Sequence, residues 1–387
     1  MSDRAWVARS IQKIEADFKR CADTHLLPFR LPGYPSIDFY LKDESAHPTG
    51  SLKHRLARSL FLYALCNNWL TPNTAIVEAS SGSTAVSEAY FARLIGLPFI
   101  AVIPAGTSPE KVQAISFYGG QCHFVDSADC LEEKARSLAA RIGGYFMDQF
   151  TNAERATDWR ANNNIAESIF HQMDEERYPI PSWIVCNAGT GGTAATLGRY
   201  VRYRRHSTRI ACTDPENSAF FSGYCEAILK RKCDWRQQHI TDYSRIEGIG
   251  RTTIGRSFLP HCIDAMIKVP DALSLAAMRS LSLHLGHNVG GSTGTNMVGM
   301  LLLAADMHAR KESGSIVSIL CDSGTRYTHN YYSSTWYAEQ GIDCEQADAA
   351  IENAVNGRGL PDSIKTAQCD STRILPHALR YYEEESA

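Results

Sequence analysis

The stretch SWIVCNAGTGGTAATLGRYVRYRR, residues 182–205, determines which fold class we expect. It begins with an apolar run typical of a buried strand and continues as a helix. Gly189, Gly191 and Gly192 separate the two parts, which predicts a strand, a tight turn and a helix. The next apolar segment, RIACTDPEN at 209–217, predicts a second strand, so the region has the pattern of a βαβ unit.

The same alternation runs through most of the chain. Predicted strands include DFYLK (38–42), AIVEAS (75–80), PFIAVIP (98–104) and SIVSILCDSG (315–324). Predicted helices include HRLARSLFLYALCNN (54–68), LSLAAMRSLSLHLG (273–286) and TNMVGMLLLAADMHARK (295–311). Strands that alternate with helices indicate an α/β protein with mostly parallel sheets.

Composition narrows the class further. The chain has 387 residues, 44% of them hydrophobic, which suits a globular protein of two domains. A net charge of −3 with interspersed signs gives no indication of nucleic acid or a membrane surface as a partner. The 12 cysteines are scattered and form no CxxC pair, so we expect buried free thiols and no metal site.

The N-terminal segment MSDRAWVARSIQKIEADFKR contains acidic residues and no apolar core, so it does not resemble a signal peptide. No apolar run approaches the ~18 residues of a membrane span. We therefore expect a cytoplasmic protein.

Polar, glycine-rich or turn-forming sequence follows four of the predicted strands. The four segments are KDESAHPTGSLK (42–53), EASSGSTA (78–85), NAGTGGTA (187–194) and CDSGTRY (321–327). Ligands of parallel α/β sheets bind beyond the carboxyl ends of the strands. Four such ends in one chain predict a shared site.

The glycine segment at 189–193 has three interpretations. Free backbone N–H groups and a helix dipole would hold a phosphate there. The spacing Gly189-x-Gly191-x-x-Ala194 also fits a dinucleotide fingerprint, with Asp214 as the acid that binds the ribose. A tight turn without a ligand is the third interpretation. A complete α/β unit precedes the segment, which favours a simple phosphate over a pyrophosphate.

The other strand ends carry hydroxyl groups. Residues 80–84 offer hydroxyl and N–H donors that suit a carboxylate, although Ser83 or Thr84 could simply cap a helix. Ser323 could bind a ligand or close a turn. Residues 290–294 match the G-x-S-x-G of hydrolases, but they follow a helix-like segment instead of a strand, which disfavours a hydrolase.

Lys53 is predicted at the first turn of a helix. The helix dipole disfavours another positive charge there. Lys53 is therefore either an ordinary solvated lysine or an amine that the site keeps deprotonated and nucleophilic.

Between residues 42 and 337 the chain resembles the cysteine-synthase superfamily of fold-type II pyridoxal-phosphate enzymes. The motifs P-x-G-S-x-K-x-R, S-x-G-x-T, G-T-G-G-T, G-I-G and S-G-x-R-Y occur in the family's order. The resemblance implies two three-layer αβα domains with mostly parallel sheets, as in the tryptophan synthase β-subunit. It also implies pyridoxal 5′-phosphate as the cofactor and an amino acid as the substrate.

The resemblance assigns roles to individual residues. Lys53 would be the catalytic Schiff-base lysine, Ser323 would face the pyridine nitrogen, and Gly248 would cover the substrate. The phosphate would be held by Gly189, Thr190, Gly191, Gly192 and Thr193. The substrate carboxylate would be bound by Ser80, Ser81, Gly82 and Thr84. Ser83 stands where the family usually has an asparagine that meets the cofactor's 3′-oxygen, and His47 also replaces a common asparagine.

The implied reaction is β-elimination, because a hydroxyl beside the pyridine nitrogen leaves the ring a weaker electron sink. The EASSGSTA and SGTRY forms resemble the L-cysteine desulfhydrase subgroup, which releases hydrogen sulfide, pyruvate and ammonia. Cysteine synthase, which adds sulfide to an intermediate formed from O-acetylserine, is the alternative. A nicotinamide oxidoreductase and a protein that binds cofactor without turnover are more distant alternatives.

The resemblance also implies a domain arrangement. Residues 1–42 and 149–340 would form a large cofactor-binding domain, and residues 43–148 a small inserted one. Residues 341–387 form a C-terminal extension to which no role is assigned. A homodimer is expected from the resemblance alone.

Overall fold

The computed structural model describes residues 3–126, 130–368 and 375. Its strands are β1 (Leu26–Phe29), β2 (Ile37–Asp43), β3 (Ile76–Glu78), β4 (Phe99–Pro104), β5 (Gln121–Val125), β6 (Tyr145–Phe146), β7 (Trp183–Asn187), β8 (Arg209–Pro215), β9 (Ala265–Val269), β10 (Gly314–Leu320) and β11 (Lys365–Gln368). Its α-helices are α1 (Asp3–Arg20), α2 (Lys53–Cys66), α3 (Ser83–Ile95), α4 (Pro109–Phe117), α5 (Leu131–Ile142), α6 (Gln149–Ala156), α7 (Ile165–Met173), α8 (Gly192–Arg204), α9 (Ala219–Tyr224), α10 (Asp271–Leu285), α11 (Gly291–Ala309), α12 (Ser334–Gln340) and α13 (Cys344–Val355).

The chain divides into two compact units. The smaller unit contains Met1–Asp23 and His47–Asp158, and the larger contains Thr24–Ala46 and Trp159–Ala387. The N-terminal helix α1 therefore lies in the smaller unit, whereas residues 1–42 were expected in the larger one. The physical reason is an apolar face on α1: Ile14 is fully buried in the core of the smaller unit, and Ile11 packs against the same core.

The smaller unit is built on a four-stranded parallel sheet in the order β5-β4-β3-β6. The chain crosses from β3 through β4 to β5, and then returns through α5 to β6 at the opposite edge. Because parallel crossovers are right-handed, this reversal places α3 and α5 on opposite faces of the sheet. The result is a three-layer αβα arrangement.

The larger unit has a seven-stranded sheet in the order β1-β2-β10-β7-β8-β9-β11. The strands from β2 to β9 are parallel, and β1 and β11 pair antiparallel at the two edges. The chain moves outward from β7 to β9 and then returns through α10 and α11 to β10, so α8 and α11 lie on opposite faces. The predicted α/β class with mostly parallel sheets is therefore confirmed.

The described part of the C-terminal extension belongs to the core of the larger unit. Strand β11 pairs with β9, and Ile351 of α13 is buried in the main apolar cluster. Tyr34 donates a hydrogen bond to the carbonyl of Ala354 at 2.9 Å. Gly33 lies so close to the end of α13 that a Cβ there would come within 2.2 Å of the backbone nitrogen of Gly357.

One predicted boundary was wrong in an informative way. Helix α11 begins at Gly291, four residues before the predicted start at Thr295, so residues 291–294 are its first turn. Gly294 is required there because a Cβ would lie 2.0 Å from the carbonyl oxygen of Ser274 on α10. Gly294 thus allows two helices to approach closely, and residues 290–294 do not form a hydrolase elbow. Among the described residues, no helix combines the length and hydropathy needed to cross a bilayer.

Candidate active site

Lys53 is the first residue of α2, as the sequence predicted. The chain enters the helix through a turn in which Gly50 has a left-handed φ of 70° and donates a hydrogen bond to the carbonyl of His47 at 2.7 Å. The backbone N–H of Lys53 donates to the hydroxyl of Ser51 at 3.1 Å. Lys53 is half-buried at the N-terminal, positive end of the helix dipole.

Buried polar contacts connect this turn to α3. The hydroxyl of Thr49 lies 2.9 Å from that of Ser87 on α3 and 3.1 Å from Nδ1 of His54. The ring of His54 stacks on that of His47, with centroids 5.0 Å apart. His47, which replaces a common asparagine of the family, therefore packs against the segment that carries Lys53.

Residues 80–84, called here the serine loop, comprise the end of the loop that follows β3 and the first two residues of α3. Ser80, Ser81 and Gly82 are half-buried, and Gly82 is extended with φ of −106° and ψ of −154°. Ser83 begins α3, and the backbone N–H groups in the first turn of a helix favour an anion. The carboxylate-binding role of the loop remains a prediction.

Thr84 contacts a residue that belongs to none of the sequence motifs. Its buried hydroxyl donates a hydrogen bond to Oε1 of Gln149 at 2.7 Å. The proton of this hydroxyl is therefore directed at Gln149, the first residue of α6. Gln149 follows the end of β6, so a search of every strand end in the smaller sheet would have found it.

Residues 189–193, called here the glycine turn, comprise the tight turn after β7 and the first two residues of α8. Gly191 has a left-handed φ of 90° and directly precedes α8. A Cβ on Gly191 would lie 2.6 Å from Cα of Phe258, so only glycine fits. The hydroxyl of Thr190 accepts a hydrogen bond from the N–H of Gly192 at 3.2 Å. Thr193 is half-buried in the first turn of this 13-residue helix.

Ser323 lies at the end of the strand next to the glycine turn. Strands β10 and β7 are parallel neighbours, so residues that follow them meet at one edge of the larger sheet. The side-chain amide of Asn187 links the two ends by donating to the carbonyl of Ser292 at 3.0 Å and to Sγ of Cys321 at 3.4 Å. The half-buried hydroxyl of Ser323 lies 3.0 Å from that of Thr325.

Gly248 is exposed in a loop of the larger unit, residues 248–250, called here the cover loop, and Ile249 beside it is buried. Gly248 and Gly250 have left-handed φ values of 86° and 78°. A Cβ on Gly248 would meet nothing within 4 Å, whereas one on Gly250 would lie 2.3 Å from Cβ of Ser244. The open space around Gly248 fits a loop that could cover a ligand, and this role stays a prediction.

Asp214 does not support the dinucleotide interpretation. Its side chain is fully buried, and Oδ2 accepts a hydrogen bond from the backbone N–H of Phe221 at 2.8 Å. Burial raises the pKa of this carboxyl to about 7. A carboxylate that binds a ribose must reach the ligand, and this one faces the protein interior.

The fold and a comparison with known proteins together identify the family of the chain. A mostly parallel sheet with a glycine turn before a helix is the architecture of α/β proteins that bind phosphorylated cofactors. Residues 22–322 match the family described as "Pyridoxal-phosphate dependent enzyme". The chain belongs to this family, and its cofactor is pyridoxal 5′-phosphate.

Named relatives agree with this assignment. The chain is 56% identical over 352 residues to the L-cysteine desulfhydrase Cds1 of Mycobacterium tuberculosis, across 90% of this chain and 94% of that protein. It is 27% identical to cysteine synthase 2 of Schizosaccharomyces pombe, across 79% and 80% of the two chains. The structure of a hydrogen sulfide-producing enzyme (Fn1220) from Fusobacterium nucleatum has the same fold, with a TM-score of 0.67, 22% identity and coverage of 82% and 98%.

The structure distributes the predicted site residues over both units. Lys53 and the serine loop belong to the smaller unit, and the glycine turn, Ser323 and the cover loop belong to the larger. Within the smaller unit, the Thr49–Ser87 contact joins the lysine segment to the helix that follows the serine loop. Within the larger, the glycine turn and Ser323 follow adjacent strands.

Proposed function

We propose that the chain is a pyridoxal-phosphate-dependent lyase acting on L-cysteine. It would cleave the bond between Cβ and sulfur, consume one water molecule and release hydrogen sulfide, pyruvate and ammonia. The observation that carries the reaction type is the neutral hydroxyl of Ser323 at the strand end beside the glycine turn. The 56% identity to an L-cysteine desulfhydrase supports the choice of substrate.

The carboxylate nearest in sequence to Ser323 has another partner. Oδ2 of Asp322 accepts a hydrogen bond from the hydroxyl of the buried Tyr327 at 2.6 Å. The group proposed to face the pyridine nitrogen is thus a hydroxyl, which leaves the ring less electron-withdrawing than a carboxylate would. Loss of a leaving group from Cβ is then favoured over transamination.

The described residues fit the cofactor. The left-handed Gly191 turns the chain into α8, whose N-terminal N–H groups and dipole suit a phosphate dianion. Bound pyridoxal phosphate supplies an electron-withdrawing ring that stabilises negative charge at the substrate Cα. Lys53 would bond to the cofactor's aldehyde carbon through Nζ, and after displacement by the substrate amine the same Nζ would accept the α-proton.

The remaining residues would bind and orient the substrate. Ser80, Ser81 and the N–H groups at the start of α3 would donate to its carboxylate. Ser83 would offer one hydroxyl hydrogen bond where the family has an amide. The cover loop would limit the access of water and thiols to the reacting carbon.

The balance between elimination and replacement is tested with purified enzyme. With L-cysteine alone, we expect sulfide and pyruvate to appear in equal amounts. Cysteine formed from O-acetylserine and sulfide, without pyruvate from cysteine, would overturn the lyase assignment in favour of a synthase. The 27% identity to a cysteine synthase makes this the second candidate.

The lysine assignment is tested separately. Borohydride reduction should attach the cofactor covalently to the wild-type protein, so its absorbance should survive dialysis. The reduced Lys53→Ala protein should lose that absorbance on dialysis. Lys13→Ala removes an exposed lysine of the same unit and should behave as wild type. A retained cofactor band on reduced Lys53→Ala would exclude Lys53 as the attachment point.

We also propose a homodimer in the cytoplasm, on the strength of the family resemblance. Light scattering after gel filtration should give about twice the chain mass of 42.9 kDa. A mass equal to one chain would contradict the dimer. Cell fractionation tests the compartment.

A further inference from the structure

Two carboxyl groups are fully buried beneath the serine loop. Glu78 is the last residue of β3, directly before the loop, and Glu88 lies on α3, directly after it. Both side chains have no exposed surface. Ionised carboxylates are rarely buried in this way unless a cation or several donors compensate them.

Glu78 uses its oxygens as hydrogen-bond acceptors. Oε1 accepts from the backbone N–H of Ala79 at 2.7 Å, and Oε2 accepts from the backbone N–H of Gln149 at 3.1 Å. These two N–H donors lower the pKa of Glu78, but burial raises it by more. Since Gln149 also accepts the hydroxyl proton of Thr84, Glu78 holds both the start of the serine loop and the residue that contacts its end.

Glu88 has a different environment. Within the described residues, no N–H or hydroxyl donor reaches either of its oxygens, and its carboxyl lies against that of Glu78. A charged Glu88 would be uncompensated beside another carboxylate. A protonated Glu88 can donate a hydrogen bond to Glu78, which satisfies both groups.

The charged groups that act most strongly on the pair are negative. Asp148 and Glu132 act on Glu78 as further negative charges, and the phenol of Tyr145 lies near Glu88. The nearby Arg136 bonds to Asp148 at 2.8 Å. Burial raises the pKa of Glu78 to about 8, and burial together with the neighbouring Glu78 raises the pKa of Glu88 well above its usual range.

We propose that Glu88 is a positioning residue for the serine loop, which acts by donating a hydrogen bond from its protonated carboxyl to a carboxyl oxygen of Glu78. The inference rests on the proposed role of the serine loop in binding the substrate carboxylate. Loss of the shared proton would place two like charges side by side in an apolar interior. The loop would then shift, and substrate binding would weaken.

The first test compares the pH dependence of KM for L-cysteine in the wild type and in Glu88→Gln. The glutamine amide can still donate to Glu78 but carries no titrating proton. We expect the two proteins to have similar KM values at pH 7, and the wild-type KM to rise at least 3-fold relative to Glu88→Gln by pH 9. Ionisation of the substrate affects both proteins equally and cancels in this ratio.

Two further variants complete this test. Glu88→Leu removes the donor, so its KM at pH 7 should rise at least 5-fold with a smaller change in kcat. Glu133→Gln, at an exposed position of α5, should follow the wild type throughout. A constant KM ratio between wild type and Glu88→Gln from pH 7 to 9, or an unchanged KM in Glu88→Leu, would overturn the proposal.

A second test does not depend on activity, so it separates failure of this inference from failure of the proposed function. If the pair holds a proton that the unfolded chain releases, stability must fall as the pH rises from about 5 to 8. In urea unfolding, the free energy of unfolding of Glu88→Gln should fall less steeply with pH than that of the wild type. The difference in slope should correspond to about one proton. Equal slopes would show that the pair holds no shared proton, whether or not the protein releases sulfide.

Discussion

The hydroxyl of Tyr331 accepts a hydrogen bond from the backbone N–H of Glu247 at 2.7 Å, one residue before Gly248. The same hydroxyl donates to the carbonyl of Arg245 at 2.7 Å. The ring is buried and stacks on Tyr327, with centroids 4.8 Å apart. Because Tyr327 bonds to Asp322, the base of the cover loop is attached to the segment that carries Ser323.

Removing this one hydroxyl should loosen the cover loop. Tyr331→Phe keeps the stacked ring but leaves the N–H of Glu247 and the carbonyl of Arg245 without that partner, at a cost of about 1–3 kcal/mol. We expect faster amide hydrogen exchange at 245–250 and a KM for L-cysteine several-fold higher. Tyr203→Phe, at an exposed position of the same unit, should change neither. Unchanged exchange in Tyr331→Phe would show that the hydroxyl does not restrain the loop.

Gly191→Ala should weaken the binding of pyridoxal phosphate. A left-handed alanine costs about 1–2 kcal/mol, and its Cβ would also collide with Phe258 and shift the glycine turn. Gly341→Ala is the matched control, since Gly341 also has positive φ but open space around its Cβ. We expect at least a tenfold loss of pyridoxal phosphate affinity, measured by fluorescence titration, in Gly191→Ala alone. Equal affinity in both variants would separate the turn from the cofactor.

Local sequence patterns predicted many strands and helices of both units well. Apolar runs indicate burial directly, and glycines between them indicate turns. The strand predicted at 38–42 is β2, and the helix predicted at 273–286 is α10, which Gly286 caps with a left-handed φ of 74°. The family, the fold class and the cofactor were also correct. These three predictions rested on five motifs in the order of the family, which is far more specific than any single glycine-rich turn.

What the sequence did not reveal depends on contacts between distant residues. Gln149 carries no motif and matters only because α6 begins beside Thr84. The membership of α1 in the smaller unit depends on Ile14 meeting the core formed by α2 and α3. The early start of α11 depends on a close approach to α10. Periodicity describes one element at a time, so such pairings stay hidden.

Asp214 should make the protein less stable as the pH rises from about 4 to 7. Burial is the main cause that raises its pKa from 3.8 to about 7, so the folded state binds the extra proton across this range. Asp214→Asn removes that proton but can still accept from Phe221. Relative to wild type, it should gain stability between pH 4 and 7, on the order of 4 kcal/mol at most. Urea unfolding at several pH values measures this, with the exposed Asp242→Asn as the control.

Thr84→Val should raise KM more than it lowers kcat. Valine keeps the shape of threonine but removes the donor to Oε1 of Gln149, which leaves a buried acceptor without that hydrogen bond. We expect a KM about tenfold higher, the equivalent of about 1.4 kcal/mol. Thr84→Ser retains the hydroxyl and should restore most of the loss. If the serine variant were as impaired as the valine variant, the methyl group and not the hydrogen bond would be responsible.

Ser323→Asp should redirect the chemistry instead of merely slowing it. A carboxylate at the end of β10 would keep the pyridine nitrogen protonated and make the ring a stronger electron sink, which favours transamination over loss of sulfide. We expect pyruvate formation from L-cysteine to fall at least 100-fold and pyridoxamine phosphate to accumulate, as followed by absorbance and chromatography. Ser323→Ala removes the hydroxyl without adding charge, so it should lose less activity and form no pyridoxamine phosphate. If the aspartate and alanine variants behaved alike, the charge at this position would not govern the outcome, and the proposed place of Ser323 beside the ring nitrogen would be wrong.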